Sequence, residues 1–256
     1  MTIDLGDSDM PPTIGAVGST GTASFGSALA GAAAELRSQL ADLASRDAGS
    51  PLSGAVSEDL ILVDGRIAMQ GDLGRGEEMT ALMARAAPGG LTASFNFQPP
   101  EKPQHSTHAF GAQFAEVGVD RITGEVRIRR MLGAFGIGRV LNPRTSTSQA
   151  IGAITMGIGQ ALMEETILDA RFGQWVNRDL AEYHIPVNAD VPAIDVLFID
   201  EVDAHVNELG AKGVGEIPIV GVAAAIANAV YNATGVRVRD LPITLDKVLN
   251  GLPVTS

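Results

Sequence analysis

The sequence carries Gly210-Ala211-Lys212-Gly213-Val214-Gly215-Glu216-Ile217-Pro218, and an apolar, alanine-rich segment from Val220 to Ala233 follows it. Pro218 suits the first turn of a helix, where its missing N–H costs no hydrogen bond. A helix that is apolar on all sides is buried, so we expect the segment to be a core helix. Glu216 then lies beside unpaired helical N–H groups, and the glycines before it let a ligand approach the backbone. The pattern predicts a loop that brings a carboxylate to a ligand.

Two other interpretations of this loop stay open. Glu216 is simply a favourable carboxylate at a helix start, with the glycines forming a tight turn. Alternatively, Lys212 and the loop amides bind a phosphate, although the residue order differs from Gly-x-x-x-x-Gly-Lys-[Ser/Thr]. Taken alone, the pattern favours the first of these over a catalytic role.

The composition excludes several classes of protein. Hydrophobic residues make up 45% of the 256 residues and charged residues only 19%, which is enough apolar surface for a folded core. The chain has 18 basic and 30 acidic residues, and the formal net charge of −12 argues against nucleic acid as the main partner. It has no cysteine, so it holds no disulfide, iron–sulfur cluster or cysteine zinc site.

The order of the predicted elements indicates an α+β fold. Hairpins are mixed with helices, rather than strands alternating strictly with helices. A linker-like stretch from Pro88 to Pro103 predicts a boundary, which divides the chain into portions 1–100 and 101–256. The predicted helices cover Ser24 to about Ala44, about Gly76 to Ala86, Gln149 to Glu165 and Val220 to Ala233, and the predicted strands form a hairpin over 60–69, an antiparallel pair over 110–130 and a single strand over 195–200.

Several distinctive motifs follow one another along the chain. They are the small, hydroxyl-rich loop Gly18 to Ala28, the strand pair around Asp120 to Val126, the turn Gly138-Arg139-Val140-Leu141-Asn142-Pro143, Gln149 with the glycine-rich helix after it, Gly213 to Pro218 with Ala223 to Val230, and Asp240-Leu241-Pro242-Ile243-Thr244. In this order, the motifs closely resemble the molybdenum-binding subunit of the xanthine dehydrogenase and aldehyde oxidase family. The resemblance covers nearly the whole chain and corresponds to the C-terminal part of that much longer subunit.

The resemblance implies an activity, a cofactor and a set of site residues. Members bind molybdopterin with molybdenum, in bacteria commonly as the cytosine dinucleotide, and hydroxylate aldehydes or N-heteroaromatic rings with water as the oxygen source. Glu216 is then the general base, and both portions of the chain bind the cofactor. The implied cofactor-binding residues are Thr22, Ala23, Ser24, Gln149, Gly213 and Gly215, and no side chain of this chain is expected to ligate the metal directly.

Simpler interpretations of these residues stay open beside the resemblance. Ser24 or Ser27 caps a helix, and Gln149 is a helix-cap or surface residue. His105 and His108 are three positions apart, but no acidic third ligand stands at an obvious offset, so we expect them to be structural or exposed.

The resemblance also implies partner chains. Because the chain lacks cysteine, the iron–sulfur clusters and any FAD belong to an iron–sulfur subunit and an FAD subunit, and an upstream half of the molybdenum subunit completes the pocket. The alternative is a noncatalytic remnant, a scaffold or a small phosphate-ligand binder. Because we find neither an export signal nor a membrane span, we expect a cytoplasmic location unless a partner supplies the signal.

Overall fold

The structure is a computed structural model that describes residues 3–4, 6–11, 13, 15–99 and 104–253. The chain divides into two compact units, Met1–Ile14 with Ser24–Pro103 and Gly15–Ala23 with Gln104–Ser256. The predicted boundary between residues 100 and 101 lies outside the described residues. The segment Gly15–Ala23, which the sequence analysis groups with the first portion, belongs to the second unit.

The first unit consists of helices around a small antiparallel sheet. Asp64 and Gly65 have positive φ values of 48° and 80°, as the predicted hairpin turn requires, and the hairpin is confirmed. The helix predicted from Gly76 begins only at Met79, because residues 72–78 pair with the second strand of the hairpin. The elements are α1 (Gly21–Arg46, which starts in the second unit), β1 (Leu60–Val63), β2 (Arg66–Met69), β3 (Asp72–Glu78) and α2 (Met79–Ala86).

The second unit contains a three-stranded mixed sheet with helices on one face. β4 pairs antiparallel with β5, as predicted, and β8 pairs with β5 in parallel. This mixture of hairpin, parallel strand and helices confirms the α+β class. The elements are β4 (Phe110–Val119), β5 (Val126–Gly136), α3 (Pro143–Leu162), the short pair β6 (Leu168–Asp169) and β7 (Gln174–Trp175), β8 (Ala193–Phe198), α4 (Ile217–Val220), α5 (Val222–Thr234) and α6 (Leu245–Leu249).

The core of this unit lies between β5, α3 and α5. Phe135 of β5, Ile154 of α3 and Ile226 of α5 are fully buried in one cluster. Each such side chain contributes about 1.5–3 kcal/mol by leaving water. Gly157 of α3 allows α5 to pack closely, because a Cβ there would lie 2.5 Å from the Val222 Cβ. Gly152 faces open space, so close packing does not account for it.

The start of α3 differs from the prediction. Asn142 and Pro143 belong to the motif that the sequence indicates as a turn, but they begin the helix, well before its predicted start at Gln149. The Asn142 side chain accepts hydrogen bonds from the backbone N–H groups of Arg144 and Thr145, and Pro143 occupies the first turn. Gln149 therefore lies inside α3 and does not cap it.

The alanine-rich segment forms two helices that meet at Gly221. Val222, Ile226 and Val230 form one buried stripe, whereas Val220 is 73% exposed, so the expectation of burial on all sides is wrong for the described structure. Ile217–Thr234 is also apolar enough to cross a membrane by length and composition. This is weak evidence for a span, because the helix contributes its stripe to a protein core.

Candidate functional site

A cavity of about 410 Å³ lies in the second unit, where three segments of the chain meet. Its walls are residues 16–23, residues 137–149 and residues 211–216. A larger cavity of about 800 Å³ in the same unit contains none of the predicted site residues. Of the predicted residues, the smaller cavity is lined by Thr22, Ala23, Gln149, Gly213, Gly215 and Glu216.

The glycine-rich loop is fastened to the end of β5 by backbone hydrogen bonds. The Lys212 N–H donates to the Ile137 carbonyl at 2.8 Å, and the Arg139 N–H donates to the Gly210 carbonyl at 2.7 Å. Gly138, with a φ of +67°, forms a bridge with Ala211. The loop therefore has a fixed origin on the sheet, and it carries Glu216 to the edge of the cavity.

Glu216 stands at the start of α4 with its side chain exposed to the cavity. Its carbonyl accepts a hydrogen bond from the Ile219 N–H at 3.1 Å, but its carboxylate makes no capping bond to the helix. The carboxylate also forms no ion pair or hydrogen bond with any residue that the structure describes. Glu216 therefore makes no capping bond, and its position at the helix start is the one that the simpler interpretation of a favourable carboxylate also gives it.

Lys212, on the same loop, has the opposite environment. Its side chain is only 9% exposed, and its ammonium lies 2.9 Å from Glu201 and 3.3 Å from Asp203. The hydrogen bond to Glu201 raises the pKa of Lys212, and the same bond lowers the pKa of Glu201, which also accepts the Gly138 N–H. Because two carboxylates already neutralise it, Lys212 is not a free phosphate ligand, and the phosphate-loop interpretation is wrong in that respect.

A tight turn before α1 presses Ser19 against the glycine-rich loop. Gly18 and Ser19 both have positive φ values, of 58° and 60°, and the Thr20 N–H closes the turn on the Val17 carbonyl at 3.1 Å. A Cβ at Gly213 would lie 2.5 Å from the Ser19 Cβ, so only glycine fits there. The Ser19 hydroxyl is buried and has no hydrogen-bond partner among the described residues, which is uncommon for a buried polar group.

The first turn of α1 supplies backbone donors. Thr22 and Ala23 lie in this turn, where N–H groups have no partner inside the helix and favour an anion. Ser24 and Ser27 lie within α1, so the interpretation of either as its N-cap is wrong. Ser24 belongs to the first unit and does not line the cavity, so its contact with a cofactor stays a prediction.

Ser19 and Arg139 are among the lining residues that the sequence did not indicate as site residues. The Arg139 guanidinium has no ion pair or hydrogen bond within the described part of the chain. Both residues lie in motifs that carry the resemblance, Gly18 to Ala28 and Gly138 to Pro143. The motifs alone do not tell which member faces the cavity, because that depends on how distant segments pack.

The histidines outside the cavity show no metal-binding arrangement. The rings of His105 and His205 lie 4.1 Å apart, centroid to centroid, and both residues are exposed. Among the described residues, no group of three or more histidines and carboxylates could hold a metal ion.

A mixed α+β unit in which glycines, free helical amides and an unpaired carboxylate meet at one cavity is a ligand-binding domain. The profile of the family described as "Molybdopterin cofactor-binding domain" matches residues 1–192. The chain belongs to this family.

Its relatives are molybdenum-binding subunits of aldehyde and xanthine oxidoreductases. The aldehyde oxidoreductase molybdenum-binding subunit PaoC of Escherichia coli K12 is 45% identical over 253 residues, 98% of this chain but 32% of PaoC. The xanthine dehydrogenase molybdenum-binding subunit of Escherichia coli O157:H7 is 42% identical over 136 residues, 53% of this chain and 18% of that subunit. The chain thus spans about a third or less of these relatives. They give no support to the alternative of a noncatalytic scaffold or small phosphate-ligand binder.

Solved structures agree with the fold. Quinoline 2-oxidoreductase from Pseudomonas putida 86 superposes with a TM-score of 0.76 at 28% identity, over 90% of this chain and 30% of that chain. The Cu,Mo-CO dehydrogenase superposes with a TM-score of 0.79 at 23% identity, over 94% of this chain and 30% of that chain, and shows the fold alone.

The cavity fits a molybdopterin cofactor. Pterin edges and phosphates are rich in hydrogen-bond acceptors, and the unpaired Ser19 hydroxyl and the first-turn amides of α1 are donors at this cavity. The space beside Gly215 would be filled by a side chain, because a Cβ there would lie 3.1 Å from the Ser19 Oγ and 3.3 Å from the Gln149 Oε1. Close approach of a flat ligand to the backbone needs such glycines.

Proposed function

We propose that this chain forms part of the cofactor pocket of a molybdenum hydroxylase that oxidises aldehydes or N-heteroaromatic compounds with water as the oxygen source. The observation that carries the proposal is the uncommitted carboxylate of Glu216 beside a glycine-lined cavity. The likeness to PaoC, an aldehyde oxidoreductase molybdenum-binding subunit, supports the reaction class.

The residues that would hold the cofactor surround the cavity from three sides. The Ser19 hydroxyl and the amides of Thr22 and Ala23 would donate hydrogen bonds, and Gln149 would donate or accept at a pterin edge. Gly213 and Gly215 would let the ligand lie against the backbone. When bound, the molybdenum cofactor supplies the two-electron redox chemistry.

Arg139 supports a dinucleotide form of the cofactor, which the family resemblance makes the cytosine dinucleotide. A dinucleotide has two linked phosphates, and phosphate binding favours a guanidinium that is free of other partners. Arg139 meets this condition and Lys212 does not. Release of a cytosine nucleotide on hydrolysis of the extracted cofactor would identify this form.

Glu216 would act as the general base. Its carboxylate oxygens make no capping bond and can accept a proton. Glu216 would take that proton from the attacking oxygen that derives from water, while the loop fastened to β5 keeps the carboxylate at the cavity. The names of PaoC, an aldehyde oxidoreductase subunit, and of quinoline 2-oxidoreductase support aldehydes and N-heteroaromatic compounds as the substrate class.

Electrons would leave the site through other chains. Because this chain has no cysteine, an iron–sulfur subunit and an FAD subunit would carry the clusters and the flavin. The remainder of the molybdenum subunit would complete the pocket, and we expect this complex in the cytoplasm.

The decisive experiment replaces Glu216 in the complex assembled with the remainder of the subunit and the electron-transfer partners. Glu216→Gln should lower kcat for an aldehyde by roughly 10²–10⁴-fold, because general base catalysis contributes that much, while the molybdenum and pterin contents stay at the wild-type level. Glu208→Gln, an exposed glutamate outside the cavity, is the matched control and should leave the rate unchanged. A Glu216→Gln rate within about tenfold of wild type, or roughly 1.4 kcal/mol in barrier, would remove the general-base assignment. If the purified wild-type complex contains neither molybdenum nor pterin, the cofactor assignment is wrong.

A further inference from the structure

Gln113 of β4 reaches from the sheet to the short helix that follows Glu216. Its Nε2 donates a hydrogen bond of 2.6 Å to the carbonyl of Pro218, which lies 105 positions later in the chain. Its amide also lies against Gly221, where a Cβ would be 3.3 Å from the Gln113 Cδ. One side chain thus contacts α4 near its start and just after its end.

α4 is held in place by packing and by this bond. It spans only Ile217–Val220, and a helix of one turn is not stable by itself, so its contacts with neighbouring elements fix its position. It packs mainly against α3, and Gln113 adds a hydrogen bond from the sheet to the carbonyl of the buried Pro218. Glu216 is bonded to the same turn through the Ile219 N–H.

The other half of the Gln113 amide has no partner. The Oε1 atom is buried and accepts no hydrogen bond from the residues that the structure describes. Turning the amide over would not help, because two acceptors, Oε1 and the Pro218 carbonyl, would then face each other. A buried acceptor without a donor lowers stability, so an apolar side chain of the same shape would suit folding at least as well. A residue that is not optimal for folding points to a role in the site.

We propose that Gln113 is a positioning residue that sets the place of Glu216 through the Pro218 carbonyl. The proposal rests on the general-base role of Glu216. Gln113 does not line the cavity and acts only through α4. Losing its bond should let the turn move, and a displacement of about 1 Å in a catalytic group can cost about a hundredfold in rate.

Hydrogen exchange of the 256-residue chain tests the tether without any cofactor. Gln113→Met keeps the length of the side chain and removes the donor, so the backbone amides of Ile217 and of 219–221 should exchange about fivefold faster. The amides of the β1 and β2 hairpin, which lies in the other unit, are the internal reference and should not change. Unchanged exchange over 217–221 would overturn the proposal.

Kinetics of the assembled complex test the consequence for Glu216. Gln113→Met should lower kcat by roughly tenfold to a hundredfold, with KM, the molybdenum content and the melting temperature near their wild-type values. Faster exchange with an unchanged kcat, in a complex that Glu216→Gln does slow, would also overturn the proposal. If neither Gln113→Met nor Glu216→Gln slows the complex, the general-base role of Glu216 is wrong, and so is the catalytic part of this inference. Faster amide exchange in Gln113→Met would then still support the structural role of the Gln113 bond.

Gln113→Glu is a second variant that keeps the shape of the side chain. It tests the same bond if Gln113→Met disturbs the fold. A protonated carboxyl group can donate to the Pro218 carbonyl, whereas an ionised one cannot. The kcat of Gln113→Glu relative to wild type should therefore fall as the pH rises. A constant ratio near one across the pH range would count against positioning by this bond.

Discussion

The two ends of the loop from Gly210 to Glu216 differ in whether their charged side chain is paired. At one end, Lys212 is 9% exposed and lies between Glu201 and Asp203, and Glu201 also accepts a backbone N–H. At the other end, the Glu216 carboxylate is exposed to the cavity and has no partner among the described residues. Carboxylates lie at both ends, but only those around Lys212 form ion pairs that stabilise the fold. The difference distinguishes a structural charge from one that is free for chemistry.

The Glu216 end depends on the absence of a side chain at Gly213. In Gly213→Ala, the new Cβ would lie 2.5 Å from the Ser19 Cβ and 2.9 Å from the Ser19 carbonyl oxygen, so the loop or the turn must move. We expect the free energy of unfolding to fall by roughly 1–3 kcal/mol, and the assembled complex to retain less molybdenum. Urea unfolding and metal analysis measure the two effects.

Gly152→Ala is the matched control for this change. Nothing lies within 4 Å of a Cβ at Gly152, which is inside α3. Alanine is the better helix former by up to about 1 kcal/mol, so this variant should be as stable as wild type or more so. Equal stability of Gly213→Ala and Gly152→Ala would show that Ser19 does not confine the loop.

The Lys212 end should respond in stability and in its dependence on pH. Lys212→Met leaves Glu201 and Asp203 facing each other without a cation, and we expect a loss of roughly 1–2 kcal/mol in the free energy of unfolding. The hydrogen bond to Glu201 raises the pKa of Lys212 above its ordinary value of 10.5. The contribution of Lys212 is therefore complete below about pH 10.5 and is lost as the pH rises through the folded-state pKa.

The loss of this stabilisation at low pH follows from Glu201. Its bond to Lys212 lowers its pKa below the ordinary 4.5, so its contribution is present above about pH 4.5 and is lost as the pH falls through the folded-state pKa. The stability difference between wild type and Lys212→Met should be largest between these limits and shrink on either side. Chemical unfolding of both chains across this range checks it, and a difference that does not vary with pH would contradict the ion-pair explanation.

Local sequence signals predicted the parts of this fold that form locally. The Asp64-Gly65 turn and the β4–β5 pair follow from neighbouring residues. The family resemblance named Thr22, Gln149 and Glu216, and the structure places all three at one cavity. The start of α3 was misplaced because Asn142-Pro143 both ends a strand pattern and begins a helix. That ambiguity is physical, since an N-cap residue commonly has extended backbone, as Asn142 does with φ −138° and ψ 101°.

The contacts that separate the two ends of the loop are not local. Lys212 finds Glu201 and Asp203 only because the chain turns back at Asn207, whose side chain bonds the Ala211 carbonyl at 2.8 Å. Ser19 meets Gly213 across nearly two hundred positions of sequence. Spacing rules describe neighbours within an element, so they left Lys212 as a phosphate candidate.

The smallest expected effect concerns Ser19, whose hydroxyl and backbone can be separated by two variants. Ser19 adopts a φ of 60°, which costs energy in any residue with a side chain, so Ser19→Gly should stabilise the cofactor-free chain by about 0.5–1 kcal/mol. Ser19→Ala keeps that backbone strain and removes only the unpaired hydroxyl, so it should leave the stability within about 0.5 kcal/mol of wild type. If the hydroxyl donates to the cofactor, both variants should retain several-fold less pterin in the assembled complex. Full pterin retention by Ser19→Ala would instead show that Ser19 shapes the glycine-rich loop and does not bind the cofactor. Gly213→Ala would then still be expected to lower the cofactor content of the complex, because it displaces that loop.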